Sequence, residues 1–235
     1  MRKLAKQLAN LGDIILLLLR FSRLIFNPKD ISPIFKARTF RNHKSNQLAL
    51  ASLRATPSAA ALMTERYLSP APIDPEALMA YPPGTLGHEF GAYMTRHKLD
   101  VVFYPPLEDK EDDDISYVRM RARQTHDMHH LVLGFPPEGA GEMAISAFYL
   151  AQNRIPLSSL LIGIGFLYTT IRAPERLGDL MECVIQGWTM GKQADCFLGV
   201  RWEEHWAMPL DELRAMLGVP AQPEPLPLTV RDYAF

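Results

Sequence analysis

Apolar side chains recur at helical spacing along most of the chain, and the pattern predicts helices over roughly 45–66, 86–98, 112–133, 138–153, 156–171, 174–192 and 209–217. Val101, Val102, Phe103 and Tyr104 form a strand-like run closed by Pro105 and Pro106, too short to build a sheet. Pro70, Pro72, Pro75, Pro82 and Pro83 mark a loop with a short helical turn, and Pro220, Pro223, Pro225 and Pro227 mark an extended tail. The expected architecture is all-α. A single-domain helical bundle over 45–219 follows a basic amphipathic arm over 1–44 and precedes a Pro-rich tail over 220–235.

Two apolar stretches need separate treatment. In the arm, Arg2, Lys3, Lys6, Arg20 and Arg23 alternate with Leu4, Leu8, Leu11, Ile15, Leu18 and Leu19, a basic helix with a broad apolar face. Such a helix suits an anionic membrane surface, or packs on a core with its charges solvated. Its uninterrupted apolar run, Ile14–Leu19, is too short to span a bilayer and lacks a small-residue cleavage site, so it reads as neither anchor nor signal. The second stretch, Ile155–Ile171, is uncharged and sits at the lower edge of spanning length. Its Ser158, Ser159, Tyr168, Thr169 and Thr170 fit a buried central helix better, with Gly163 and Gly165 allowing close approach to a neighbour or an apolar ligand.

Charge sharpens this division. The net charge of -1 conceals ten Lys+Arg against two acids in residues 1–44 and fifteen against twenty-four in the remainder. A basic arm meets an acidic body. Phe21, Phe26, Phe35 and Phe40 have no nucleic-acid-module spacing, so no nucleic-acid partner is expected. With 235 residues, 48% hydrophobic and 22% charged, the chain can bury a core without crosslinks. Cys183 and Cys196 are too few for a disulfide framework or a cysteine-built zinc site, which fits a reducing compartment.

The chemistry concentrates in Thr125–His130, followed by Gly134, Phe135, Pro136 and Pro137 and then by Glu142. The segment reads as helix, turn, helix: Asp112, Asp113 and Asp114 open the first helix and Gly134 stops it. At about 100° per residue, His126, His130 and Asp127 fall within one arc while His129 lies outside it, a neighbour rather than a ligand. Glu142 on the returning helix completes the set; Glu138, its rival, sits where helix capping is the ordinary role. Two imidazoles one turn apart plus carboxylates suit a divalent metal, whether zinc, iron or manganese. The catalytic candidates are His126, His130 and Glu142, and the metal candidates are these three with Asp127. His88, His97 and His205 read as ordinary surface or helix residues, and Trp188, Trp202 and Trp206 as core or interface anchors.

His126-Asp127-x-x-His130, eleven intervening residues and then Glu142 resembles the signature of the coenzyme Q biosynthesis protein 4 family of ubiquinone-making bacteria and mitochondria. The likeness extends to Tyr81–Gly87, Asp114–Arg123, Gly141, Gly187-Trp188, Gly191-Lys192, Trp202-Glu203, Trp206, Pro209-Leu210, Leu213-Arg214 and Leu217-Gly218, over roughly residues 45–219. Gln124 departs from it, standing where the pattern leads to an acid. The resemblance implies an all-α protein peripheral to a membrane, at the cytoplasmic face of the inner membrane or, in a eukaryote, at the mitochondrial inner membrane. A divalent metal, with zinc the first expectation, would sit on His126, Asp127, His130 and Glu142, and the substrate would be a polyprenylated benzoate or quinone lipid.

Two functions follow from the resemblance. One is a metal-dependent decarboxylase, a lyase that removes the ring carboxylate of a polyprenyl-4-hydroxybenzoate oxidatively, with hydroxylation at the same carbon. The prenyl tail would lie along Ile155–Ile171, helped by Met143 and Phe148. The other is a non-catalytic, lipid-binding scaffold for other ubiquinone-biosynthetic enzymes. From the residues alone, a metal phosphohydrolase built on a His-Asp pair with His88 or His97 is a third option, but no second metal-ligand Asp appears downstream at the spacing it needs. Abundant apolar helical surface is compatible with a homodimer.

Overall fold

A computed structural model describes residues 44–69, 73–99, 113–137 and 139–227. The basic arm, the Val101–Tyr104 run, Glu138 and the end of the tail lie outside the described residues. The helices are α1 Lys44–Arg54, α2 Pro57–Glu65, α3 Pro75–Leu78, α4 Leu86–His97, α5 Asp114–Leu133, α6 Ala140–Asn153, α7 Pro156–Arg172, α8 Leu177–Gln193 and α9 Leu210–Met216. Short 3-10 turns occupy Pro174–Arg176, Phe197–Gly199 and Trp202–Glu204. The fold is all-α, with no strand among the described residues and one isolated bridge joining Thr85 to Pro209.

The expected helix over 45–66 is two helices. Pro57 occupies the first turn of α2 and holds Thr56 extended, at φ -95° and ψ 114°, so the helical path breaks there. Elsewhere the ends follow local chemistry. Asp113 caps α5 by accepting from Ser116 N, and Asp74 caps α3 by accepting from the amides of Glu76 and Ala77. Asp114 binds Arg54 and Arg66, which ties the start of α5 to α1 and to the end of α2.

The main core gathers Phe90, Met128, Val132, Phe135, Ile145, Phe148, Phe197, Trp202 and Leu213, contributed by α4, α5, α6, the 3-10 turns and α9. A second cluster of Leu53, Leu62, Met63, Tyr117, Val118 and Leu198 seats α1 and α2 against the first half of α5. Helices α6 and α8 meet backbone to backbone: a Cβ on Gly187 would stand 1.9 Å from the Ala144 carbonyl oxygen. Between the clusters, fully buried Arg121 donates to both carboxylate oxygens of Glu203 and to Val200 O, anchoring α5 to the C-terminal turns.

Helix α7 is not the buried central helix expected for Ile155–Ile171. It lies at the edge, and its buried residues are Ser158, Ile164, Gly165 and Thr169. Small and polar groups face inward because Met143 occupies the space a side chain at Gly165 would need, its sulfur 2.4 Å from such a Cβ, while Gly163 faces open space. The larger apolar residues turn outward, Ile171 being 60% exposed. Adjoining α8 does the same with Met181, Ile185 and Trp188 at helical spacing. No described helix is long and apolar enough to cross a membrane. Phe148, expected beside a lipid groove, is fully buried in the main core, where it meets Phe197 edge to face at 4.7 Å. Both cysteines are free, and burial raises the Cys183 thiol pKa to about 12.

Candidate metal centre

The site is built by the last turns of α5, the first turn of α6 and the tight connection between them. Gly134 ends α5 at φ 73°, a left-handed conformation that glycine adopts without a Cβ penalty, and the Phe135 amide returns to His130 O at 3.0 Å. Phe135 then plugs into the core, and the chain folds so closely over α6 that a Cβ on Gly141 would stand 1.8 Å from Pro136 O. Only glycine fits there. The arrangement sets Glu142 in the first turn of α6, where the helix dipole favours a carboxylate, facing the histidines of α5.

One ligand atom from each of His126, His130 and Glu142 lies within 4.8 Å of the other two. The two Nε2 atoms are 3.1 Å apart; Glu142 Oε1 is 3.1 Å from His130 Nε2, and Oε2 is 3.5 Å from His126 Nε2. Zinc held tetrahedrally at about 2.0–2.1 Å separates its ligand atoms by about 3.3–3.4 Å, so these spacings need little adjustment to take a cation. Two imidazoles and one carboxylate are the donor set such a cation uses. His130 is buried, whereas His126 is 25% and Glu142 34% exposed, so one side of the group faces solvent.

Asp127 stands close by without joining that group. At a right angle around the helix from His126 and with a short side chain, it contributes no oxygen to the cluster, although the charges of His126, His130 and Glu142 all act on it. Burial raises its pKa above the ordinary value, with the two histidines opposing and Glu142 adding to the rise. For Glu142, burial also pushes upward, but His130 and His126 outweigh it and hold the carboxyl well below the usual range. Burial would depress His126; the charge and hydrogen bond of Glu142, helped by Asp127, raise it instead.

His129 lies outside the group, enclosed by Phe197 and Trp202, both at 5.1 Å between ring centroids. Burial, reinforced by nearby positive charge, keeps its pKa well below the ordinary value. Its Nδ1 lies 2.7 Å from the hydroxyl of Tyr149, which also lies 3.2 Å from His126 Nδ1. No motif marks Tyr149 in the sequence, although Glu142 and Tyr149 are seven residues apart and therefore on one face of α6. Arg214, which the family pattern includes without a role, donates from its guanidinium to the carbonyls of Leu131 and Val132 at the end of α5. Gln124 has a structural task, accepting the Ser69 amide. His88 pairs with Glu89 and His97 packs on Tyr93, so neither reaches the cluster.

Fold and site together define an all-α protein with a two-histidine, one-carboxylate cluster between the end of one helix and the start of the next. The pattern of the family described as "Coenzyme Q (ubiquinone) biosynthesis protein Coq4" matches residues 25–223, and the chain belongs to that family. It is 28% identical over 175 residues to the rat mitochondrial ubiquinone biosynthesis protein COQ4 homolog, covering 73% of this chain and 64% of that protein. The human homolog is 26% identical over 202 residues, covering 85% and 75%. The chain therefore spans just under two thirds of the rat protein's length. A crystal structure from Nostoc punctiforme PCC 73102, assigned to ubiquinone biosynthesis, superposes with a TM-score of 0.75 at 30% identity, covering 86% of this chain and 96% of that one.

Proposed function

We propose that this protein is a metal-dependent enzyme of ubiquinone biosynthesis that oxidises a polyprenyl-4-hydroxybenzoate with dioxygen and water, breaking the ring–carboxylate bond to release carbon dioxide, forming a ring–hydroxyl bond at the same carbon and leaving hydrogen peroxide. The observation that carries this reading is the convergence of His126, His130 and Glu142 with one side open to solvent. Three protein ligands with an open position is the pattern of catalytic sites; structural sites are closed by four. A bound divalent cation, zinc or alternatively iron or manganese, would supply positive charge to hold the benzoate carboxylate and offset charge developing on the ring.

The chain's own residues would do the rest. His126 and His130 present their Nε2 atoms from consecutive turns of α5, and Glu142 supplies the compensating negative charge. Asp127, half-buried beside them, contributes a further negative charge that favours the cationic site. The outward apolar residues of α7, Leu167 and Ile171, offer a surface for the prenyl tail, consistent with a protein working peripherally at the membrane where such lipids reside. The mitochondrial relatives support the inner membrane as that place in a eukaryote.

The test is direct: metal-loaded protein is given a short-chain prenylated hydroxybenzoate and dioxygen, and carboxylate loss is followed. A carboxylate left untouched, together with normal quinone production in cells carrying His130→Ala, ends the catalytic reading. The second reading, a lipid-binding scaffold that gathers other biosynthetic enzymes, draws on the apolar stripes of α7 and α8. It predicts that substitutions at Ile171 and Ile185 abolish quinone production while His130→Ala spares it.

A further inference from the structure

We propose that Tyr149 is a positioning residue for the candidate metal centre, holding His126 with its proton on Nδ1 so that Nε2 presents a lone pair, with His129 setting the direction of the relay. The inference rests on reading His126, His130 and Glu142 as a metal site.

The argument is one of proton counting. A phenol hydroxyl carries one proton, and two ring nitrogens compete for it, His126 Nδ1 at 3.2 Å and His129 Nδ1 at 2.7 Å. Tyr149 can donate to one of them at most, so at least one of the two imidazoles donates to it. The shorter contact is to His129. The His129 Nε2 is buried without a hydrogen-bond partner among the described residues, and its ring meets Phe197 in a T-shaped contact at 5.1 Å and 68°. A cation on His126 needs a lone pair at Nε2, which puts that ring's proton on Nδ1, where Tyr149 is the acceptor, and the shorter contact then takes the Tyr149 proton to His129 Nδ1. The His129 proton accordingly sits on Nε2, its Nδ1 accepts from Tyr149, and Tyr149 accepts from His126 Nδ1–H. That leaves His126 Nε2 unprotonated, 3.1 Å from His130 Nε2. The opposite arrangement would place a proton on His126 Nε2, where a cation would sit. A ligand imidazole's second nitrogen is commonly fixed by such a partner, and loss of the partner costs about 10–100-fold in metal affinity.

Two measurements test this on the full chain. Histidine tautomers are read by ¹⁵N NMR in metal-free protein at a pH where the imidazoles are neutral, and zinc affinity by chelator competition, for wild type, Tyr149→Phe and His129→Phe. The expected result is an Nδ1–H tautomer at His126 in wild type, a mixture of tautomers in Tyr149→Phe with zinc affinity about 10–100-fold weaker, and a smaller loss in His129→Phe. His129→Phe keeps an aromatic ring between Phe197 and Trp202, so unchanged thermal stability beside weakened zinc binding separates positioning from structural support. Zinc affinity in Tyr149→Phe within twofold of wild type, with the His126 tautomer unaltered, overturns the inference while leaving the metal site standing. A wild-type protein that binds no zinc overturns the metal reading, and a protonated His126 Nε2 in that protein overturns the relay as well.

Discussion

Arg214 closes the helix that carries the histidines: its Nε donates to Val132 O at 2.8 Å and its Nη2 to Leu131 O at 3.0 Å. Those carbonyls belong to the last turn of α5, where the Gly134 amide also reaches Leu131 O and a positive charge is favoured. Arg214→Met keeps the apolar stem and removes the donors. The expected cost is about 1.5–3 kcal/mol, the range for hydrogen bonds to charged groups, read as a shift in the urea midpoint without a change in slope. On the proposed metal reading, zinc affinity should fall with it, since His130 lies on the same turn.

Protonation gives the metal-free protein a distinctive pH profile. His126 is raised when folded, so its contribution is complete below about pH 6.5 and disappears as pH rises through its higher folded value. Glu142 is lowered when folded, so its contribution is complete above about pH 4.3 and disappears as pH falls through its lower folded value. His129 is lowered too, and its contribution declines as pH falls below about 6.5. Melting temperatures of wild type and Glu142→Gln across this range should differ most between about pH 4.3 and 6.5, and the gap should close on both sides. A gap that widens steadily toward alkaline pH would contradict the assignment.

Two glycines should respond oppositely to the same substitution. A Cβ on Gly187 would strike the Ala144 carbonyl, which is backbone and cannot step aside, so Gly187→Ala should lose about 1–3 kcal/mol. Gly163 has nothing within 4 Å of such a Cβ and lies inside α7, so Gly163→Ala should gain up to about 1 kcal/mol from helix propensity. Thermal melts of the two variants decide the matter.

The Arg121–Glu203 pair should prove unforgiving when halved. Arg121 is fully buried, and Glu203→Ala would strand its charge at a cost of about 3–5 kcal/mol. Replacing both partners with apolar residues should recover much of that loss, which a double-mutant cycle by chemical denaturation measures.

How far the chain could be read beforehand depended on how local each signal was. The α5–turn–α6 unit was legible because Gly134, the paired prolines and the histidine spacing act within a few residues of one another. Pro57 is masked by the long apolar pattern around it, although its ring alone breaks the helix. The orientation of α7 was misjudged because an uncharged helix looks alike from every side; what turned it was the shape of Met143, thirteen residues before the helix begins. Tyr149 and the helix-closing contact of Arg214 depend on tertiary proximity, the latter bridging 82 residues to Val132, a distance over which no spacing rule operates. For Asp127, helical angle puts it near the histidines, and the group that converges to within 4.8 Å is His126, His130 and Glu142 without it.

The contact between Gly141 and Pro136 O has a consequence for what the centre can admit. Because main chain touches main chain at that bend, the gap separating the imidazoles from the acid is gauged by the least compressible part of the polypeptide. Selectivity for ionic radius would then be inherited from a hairpin of backbone, and engineering a larger ion into this family would have to begin by rebuilding that bend before altering any donor.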